Sequence, residues 1–189
     1  MRWRKTLRGA SIAARCCRSV GRALVAVPLL AAESSGIVAP TLQEIQVAAH
    51  VIHFQETQPM RLITPAVVYN MTDRRSREEA NAIAALLGNG LAVADLTLHP
   101  LLIEQHHLTD STAFTAVFAT IGVDQGLPAD GLKRRHALCL TTHLDQVEQG
   151  ACTIAIRSVP SVSIAFNTMN AAAAGGGFIT AFRMMVREI

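Results

Sequence analysis

An α/β domain of three layers, with a mostly parallel sheet and an antiparallel hairpin near its C-terminus, is the fold class that three observations predict. Strand-like and helix-like segments alternate from residue 62 to residue 141, two helices open on capping-box sequences, and the runs Ala151–Arg157 and Ser161–Asn167 are separated only by Ser158-Val159-Pro160. Strands alternating with helices of this length imply parallel pairing under covered faces, whereas a short link between two strand runs implies an antiparallel pair.

Each element has a local reason. Thr41-Leu42-Gln43-Glu44 has the form of a capping box, and Leu42, Ile45, Ala49 and Ile52 recur behind it at helical spacing, so a helix is expected from about 42 to 55. Leu62 to Tyr69 is a β-rich apolar run in which Pro65 argues for an edge position or a bulge near its start, placing the strand at Pro65 to Tyr69. Asn70 to Arg75 reads as a polar turn. Ser76-Arg77-Glu78-Glu79 is a second capping box, and Ala80, Ile83, Ala84 and Leu87 form one helical face that ends at Gly88 and Gly90.

Leu91 to Leu98 alternates apolar with polar residues and reads as one strand; Phe114 to Ile121 is a continuous apolar strand. A short helix from Leu127 to His136 precedes a strand from Ala137 to Thr141. After the hairpin, an Ala-rich helix from Thr168 to Ala174, a break at Gly175 to Gly177 and a closing helix from Thr180 to Glu188 complete the domain.

The first 32 residues hold Arg2, Arg4, Lys5, Arg8, Arg15, Arg18 and Arg22, no acidic residue, and an apolar run from Ala23 to Ala32. A basic n-region, an apolar run too short to span a bilayer and small residues around Ala31 to Ser35 are the parts of an export signal. Residues 1–36 are therefore expected to be a removed signal peptide, and residues 37–189 a single periplasmic domain. An Arg-rich, acid-free leader also suits an organellar transit peptide. Cys16 and Cys17 belong to the leader, because no apolar run precedes them as lipid attachment requires.

Of the 17 basic residues, 7 lie in the first 32 positions, which leaves 10 against 14 acidic ones and a charge near −4 for residues 33–189. The pI near 8.9 thus belongs to the leader and gives no support for nucleic-acid binding. No second stretch reaches 18 apolar residues, so no stable membrane insertion is expected after cleavage. Cys139 and Cys152, thirteen residues apart, are a disulfide candidate in an oxidising compartment; two buried thiols facing different ways are the alternative.

Catalytic motifs are missing. The chain has no G-x-S-x-G, no H-E-x-x-H, no P-loop and no G-x-G-x-x-G, and its cysteines lack metal spacing. No catalytic residue, metal or cofactor is expected. His106-His107 reads as a solvated loop, since adjacent side chains diverge and cannot chelate together. Asn70, Thr72 and Asp73 after the first strand, Gly122 and Asp124 after the next long strand, and His143 and Asp145 after the following one fall where open α/β sheets bind ligands. Asn70, Asp73, Asp124, His143 and Asp145 are the ligand-crevice candidates, with ordinary turn chemistry as the competing explanation.

Lys133-Arg134-Arg135 suits a helix C-terminal turn, where the dipole favours cations, and Gly175 to Gly177 suits a left-handed cap better than a phosphate cradle. In the apolar tail, Met184, Met185 and Arg187 are candidates for a partner surface, with core packing of a last helix as the alternative.

Gln149-Gly150, Thr153-Ile154, Val162 to Asn167, then Ala171 to Ala173 and the glycines, resemble the end of YfiR-family periplasmic proteins. That family has a Gly before a strand, a second strand ending in Asn, an Ala-Ala pair and a Gly. His53-Phe54 before Pro59 is similar to the end of its first helix, and Ala66 to Val68 and Ala116 to Thr120 fall where its strands lie. The chain departs from the family in lacking the Trp-Pro after the first helix and in its tail, Phe182 to Ile189.

The resemblance implies a non-enzymatic periplasmic regulator that senses envelope state and binds an inner-membrane signalling partner, often a diguanylate cyclase. It also implies that disulfides matter. The alternative expectation is a substrate-binding-like component of an uptake system, which at this length needs a partner or a homodimer to enclose a ligand.

Overall fold

The computed structural model describes residues 39–189 except 57–60, 110, 125–131, 133, 134, 136 and 174–176. The expected signal peptide, most of the 127–136 helix and most of the Gly175–Gly177 break lie outside the described residues. Helix α1 (Leu42–His53) opens on the predicted capping box: Glu44 N donates to Thr41 Oγ1 and Thr41 N donates to Glu44 Oε2. After the short β1 (Leu62–Ile63), β2 (Pro65–Tyr69) has the predicted bounds.

Strand β2 is interior to the main sheet, paired with parallel neighbours on both sides, so the edge position expected from Pro65 is not found. Proline is tolerated because it is the first residue of the strand, and the adjoining hydrogen bonds are made by Thr64 and Thr115, whose amides donate to Thr115 Oγ1 and Thr64 O.

Helix α2 (Arg74–Leu87) begins two residues before the expected capping box, with Asp73 as its N-cap accepting from Arg75 N. Ser76 and Glu79 are buried instead of capping, because the helix presses this face onto the sheet. The expected strand Leu91–Leu98 is two strands, β3 (Leu91–Val93) and β4 (Leu96–Leu98), paired antiparallel across a tight turn with Ala94 at φ 52°. With β1 they form a separate small sheet whose Ile63, Val93, Leu96 and Leu98 join the core under α1 and α2.

The main sheet has the order β10-β9-β8-β7-β6-β2-β5. Its members are β2, the unpredicted β5 (Leu101–Glu104), β6 (Ala116–Ala119), β7 (Leu138–Thr141), β8 (Ile154–Arg157), β9 (Ser163–Phe166) and β10 (Arg187–Glu188). Pairing is parallel except between β8 and β9, the predicted hairpin. The chain is thus a mixed α/β domain with a mostly parallel sheet, as the alternation implied.

Side chains of β2, β6, β7, β8 and β9 alternate strictly between two cores. One face carries Val67, Phe118, Leu140, Ile154, Ile156 and Phe166 beneath α1 and α2. The other carries smaller residues, Ala66, Val117, Ala119, Cys139, Ala155 and Ala165, beneath Val123, Leu132 and the short helix α3 (Leu144–Glu148). A parallel sheet buried on both sides reads as continuous apolar runs, which is why β6 and β7 were legible.

Helix α4 (Thr168–Ala173) and a single turn, α5 (Thr180–Arg183), follow the hairpin. The expected helix to Glu188 stops at Arg183. Strand β9 would otherwise be an edge with unpaired amides and carbonyls, and β10 satisfies it, Ile189 N donating to Phe166 O at 2.9 Å. Phe182 is fully buried, stacked on Phe178 at 4.7 Å and edge-on to Phe166.

Candidate functional site

The strands β5-β2-β6-β7-β8 repeat the doubly wound order 2-1-3-4-5, in which the chain reverses direction across the sheet between β2 and β6. Ligands in such sheets bind outside the carboxyl ends of the strands at that reversal. Asn70, Asp73, Gly122 and Asp124 stand there, as the sequence suggested, and Asn70 and Asp73 are engaged in local hydrogen bonds. Asn70 Nδ2 donates to Gly122 O across the gap, and Asn70 Oδ1 accepts from Thr72 N and Thr72 Oγ1.

Beneath them runs a buried relay. Asn70 N donates to Ser76 Oγ, Ser76 Oγ lies 2.7 Å from Thr120 Oγ1, and Thr120 Oγ1 donates to Val68 O. Asp73 caps α2, and a Cβ at Gly122 would clash with its Oδ2. Asp124 N donates to the buried Gln105 Oε1. Asn70 and Asp73 therefore close the reversal point.

The open space lies one strand further along. A crevice of about 330 Å³ at the carboxyl ends of β6 and β7 is lined by Arg75, Ile121, His143, Leu144, Asp145 and Arg157, among others. It unites His143 and Asp145 of the expected crevice with Arg75 and Arg157, which the sequence reading did not single out. Its floor is organised by Glu79, only 2% exposed. That carboxylate accepts from Ile121 N at 2.7 Å and from Thr142 Oγ1 at 3.0 Å, and His143 Nε2 sits 2.9 Å from both its oxygens.

One acidic side chain of α2 thereby fixes the ends of two strands and orients the imidazole. Gln146 of α3 adds a second tie, accepting from Thr141 Oγ1 and donating to Thr120 O. The only sequence signal for Glu79 is its place in the capping-box pattern, which points to a helix cap and not to the strand ends.

Cys139 on β7 and Cys152, just before β8, form a disulfide with Cα atoms 5.0 Å apart, both buried in the small-residue core. Arg135 donates to Thr112 O and stacks 4.7 Å over Phe114, so it is a packing residue rather than an anion site. Lys133 and Arg134 lie outside the described residues. His106 and His107 form an exposed 3-10 turn.

The partner-surface candidates fall on a turn and a strand, not on the helix expected for them: Met184 and Met185 are 78% and 61% exposed, and Arg187 on β10 pairs with Glu148 at 3.4 Å. Among the described residues no group of three His, Cys, Asp or Glu could hold a metal, and no helix is long and apolar enough to cross a membrane.

Together these features define a mixed α/β domain with a polar crevice at its strand ends. No protein-family model matches the chain, and no curated protein matches it. Among solved structures it is similar to a conserved domain protein from Vibrio cholerae O1 biovar El Tor strain N16961 at 9% identity and a TM-score of 0.51. The likeness covers 79% of this chain and 60% of that one, so the chain spans well under the whole of its structural neighbour. It carries the fold alone.

Proposed function

We propose that this chain is a periplasmic, non-enzymatic regulatory domain that docks through its C-terminal edge onto an inner-membrane signalling protein, a diguanylate cyclase being the partner its resemblance implies. The observation that carries this reading is the exposure of Met184 and Met185 between buried Phe182 and the edge strand β10. Two adjacent exposed methionines anchored by a core aromatic give a firm base under an adaptable apolar contact. A disulfide in the folded part and a basic, apolar leader both suit an exported protein.

The test is in-cell photocrosslinking from position 184, with the Met185→Asp variant as control. Capture of an inner-membrane signalling protein, lost in the variant while thermal unfolding is unchanged, is the expected result. Capture of a transport permease would replace this reading with the uptake-component one, which the polar crevice at the strand ends favours as the second reading. Capture of the chain alone would refute both.

A further inference from the structure

We infer that the crevice at the ends of β6 and β7 binds a small organic monoanion, a carboxylate on a compact apolar body, through Arg75 and Arg157. Most polar groups around the crevice already have protein partners. Glu44 accepts from Thr41 N, Ser158 N and Ser158 Oγ; Thr142 Oγ1 and His143 Nε2 are engaged by Glu79. Arg75, Arg157 and Asp145 also line it, and their side chains make no hydrogen bond or ion pair among the described residues.

Guanidinium groups match carboxylates with two parallel hydrogen bonds, so two arginines on one concavity, unpaired among the described residues, can receive an anion. Asp145 and Glu44, which also lines the crevice, limit the charge of the ligand. With two carboxylates already beside two guanidinium groups, a dicarboxylate or a phosphate monoester brings more like-charge repulsion than a monoanion does. Ile121, Leu144 and Val159 supply the apolar wall. A volume of about 330 Å³ is at the small end for ligand sites and suits a compact acid.

This goes beyond the proposed function and does not depend on the partner. Its test is calorimetric titration of the purified protein with isovalerate, its neutral amide isovaleramide, and the dianion glutarate. Saturable one-site binding of isovalerate is expected, weakened about tenfold or more in the amide and in Arg157→Met or Arg75→Met, since each removes a charge-assisted contact. Both arginines are exposed and unpaired, so neither variant should alter thermal unfolding. Asp145→Asn should narrow the preference for isovalerate over glutarate. Absence of saturable isovalerate binding, equal affinity for the amide, indifference to both arginine substitutions, or preference for glutarate in the unmodified protein would each overturn the inference. Crosslinking at position 184 is unaffected by any of these outcomes.

Discussion

Replacing Glu79 by Ala tests whether one buried carboxylate holds the strand ends together. The substitution strips the acceptor from three donors, Ile121 N, Thr142 Oγ1 and the His143 ring. A buried donor left unpaired costs about 1–3 kcal/mol, but His143 is 23% exposed and lies, like Thr142, on the crevice, where water can reach. Taking about 1 kcal/mol for each donor gives a loss of about 3 kcal/mol. Glu79→Gln keeps one oxygen and turns a new donor toward existing ones, for about 1–2 kcal/mol. Equilibrium urea unfolding reads both, and a cycle with His143→Ala should show about 1 kcal/mol of coupling. A loss below about 1 kcal/mol for Glu79→Ala, or no coupling, would refute the assignment of Glu79 as the organiser of this edge.

Three further outcomes follow from the same geometry. Replacing both Cys139 and Cys152 by Ala opens a loop of 13-residue separation, and urea unfolding should show a loss of about 3 kcal/mol by chain entropy. Gly122→Ala meets both a φ of +71° and Asp73 Oδ2, so it should cost about 2 kcal/mol. Gly150→Ala, at φ +80° with no atom within 4 Å, should cost about 1 kcal/mol; equal losses for the two would contradict the role given to Asp73. Phe182→Ala should lower stability by about 3–5 kcal/mol in thermal or urea unfolding, whereas Met184→Ala should stay within about 0.5 kcal/mol.

What the sequence made legible was whatever local physics alone decides. Thr41 and Glu44 cap a helix in any context, and Ala116–Ala119 and Leu138–Thr141 are apolar throughout because both sheet faces are covered. Leu91–Leu98 misled because its turn uses Ala94 in a left-handed conformation that Asn or Gly normally marks; the neighbouring Asp95 pairs with His53 of α1 at 3.2 Å, a contact no local pattern reveals. Arg187–Glu188 is a strand only because β9 offers an open edge. At the site, position after a strand puts His143 and Asp145 on the crevice, whereas the short polar side chains of Asn70 and Asp73 serve the turn itself; nothing local marks Glu79, Arg75 and Arg157, which come to the strand ends from other elements.

The crevice and the C-terminal edge meet in α3. Its first turn carries Leu144 and Asp145 into the crevice, and its last residue, Glu148, pairs with Arg187 of β10. Leu144, Arg157 and Arg187 also line one shallow hollow beneath β8 and β9. An exposed ion pair of this kind contributes at most about 1 kcal/mol. Gln146 and Val147, between the two ends of α3, are buried, and Gln146 is tied to both β6 and β7, so the helix has little freedom to slide when either end is occupied. Transmission from a ligand to a docked partner would need two arrangements of α3 that each surface favours differently. The packing favours one. On the proposed reading, ligand recognition and partner docking are therefore separable, and substitutions at Arg75 or Arg157 should leave capture from position 184 intact.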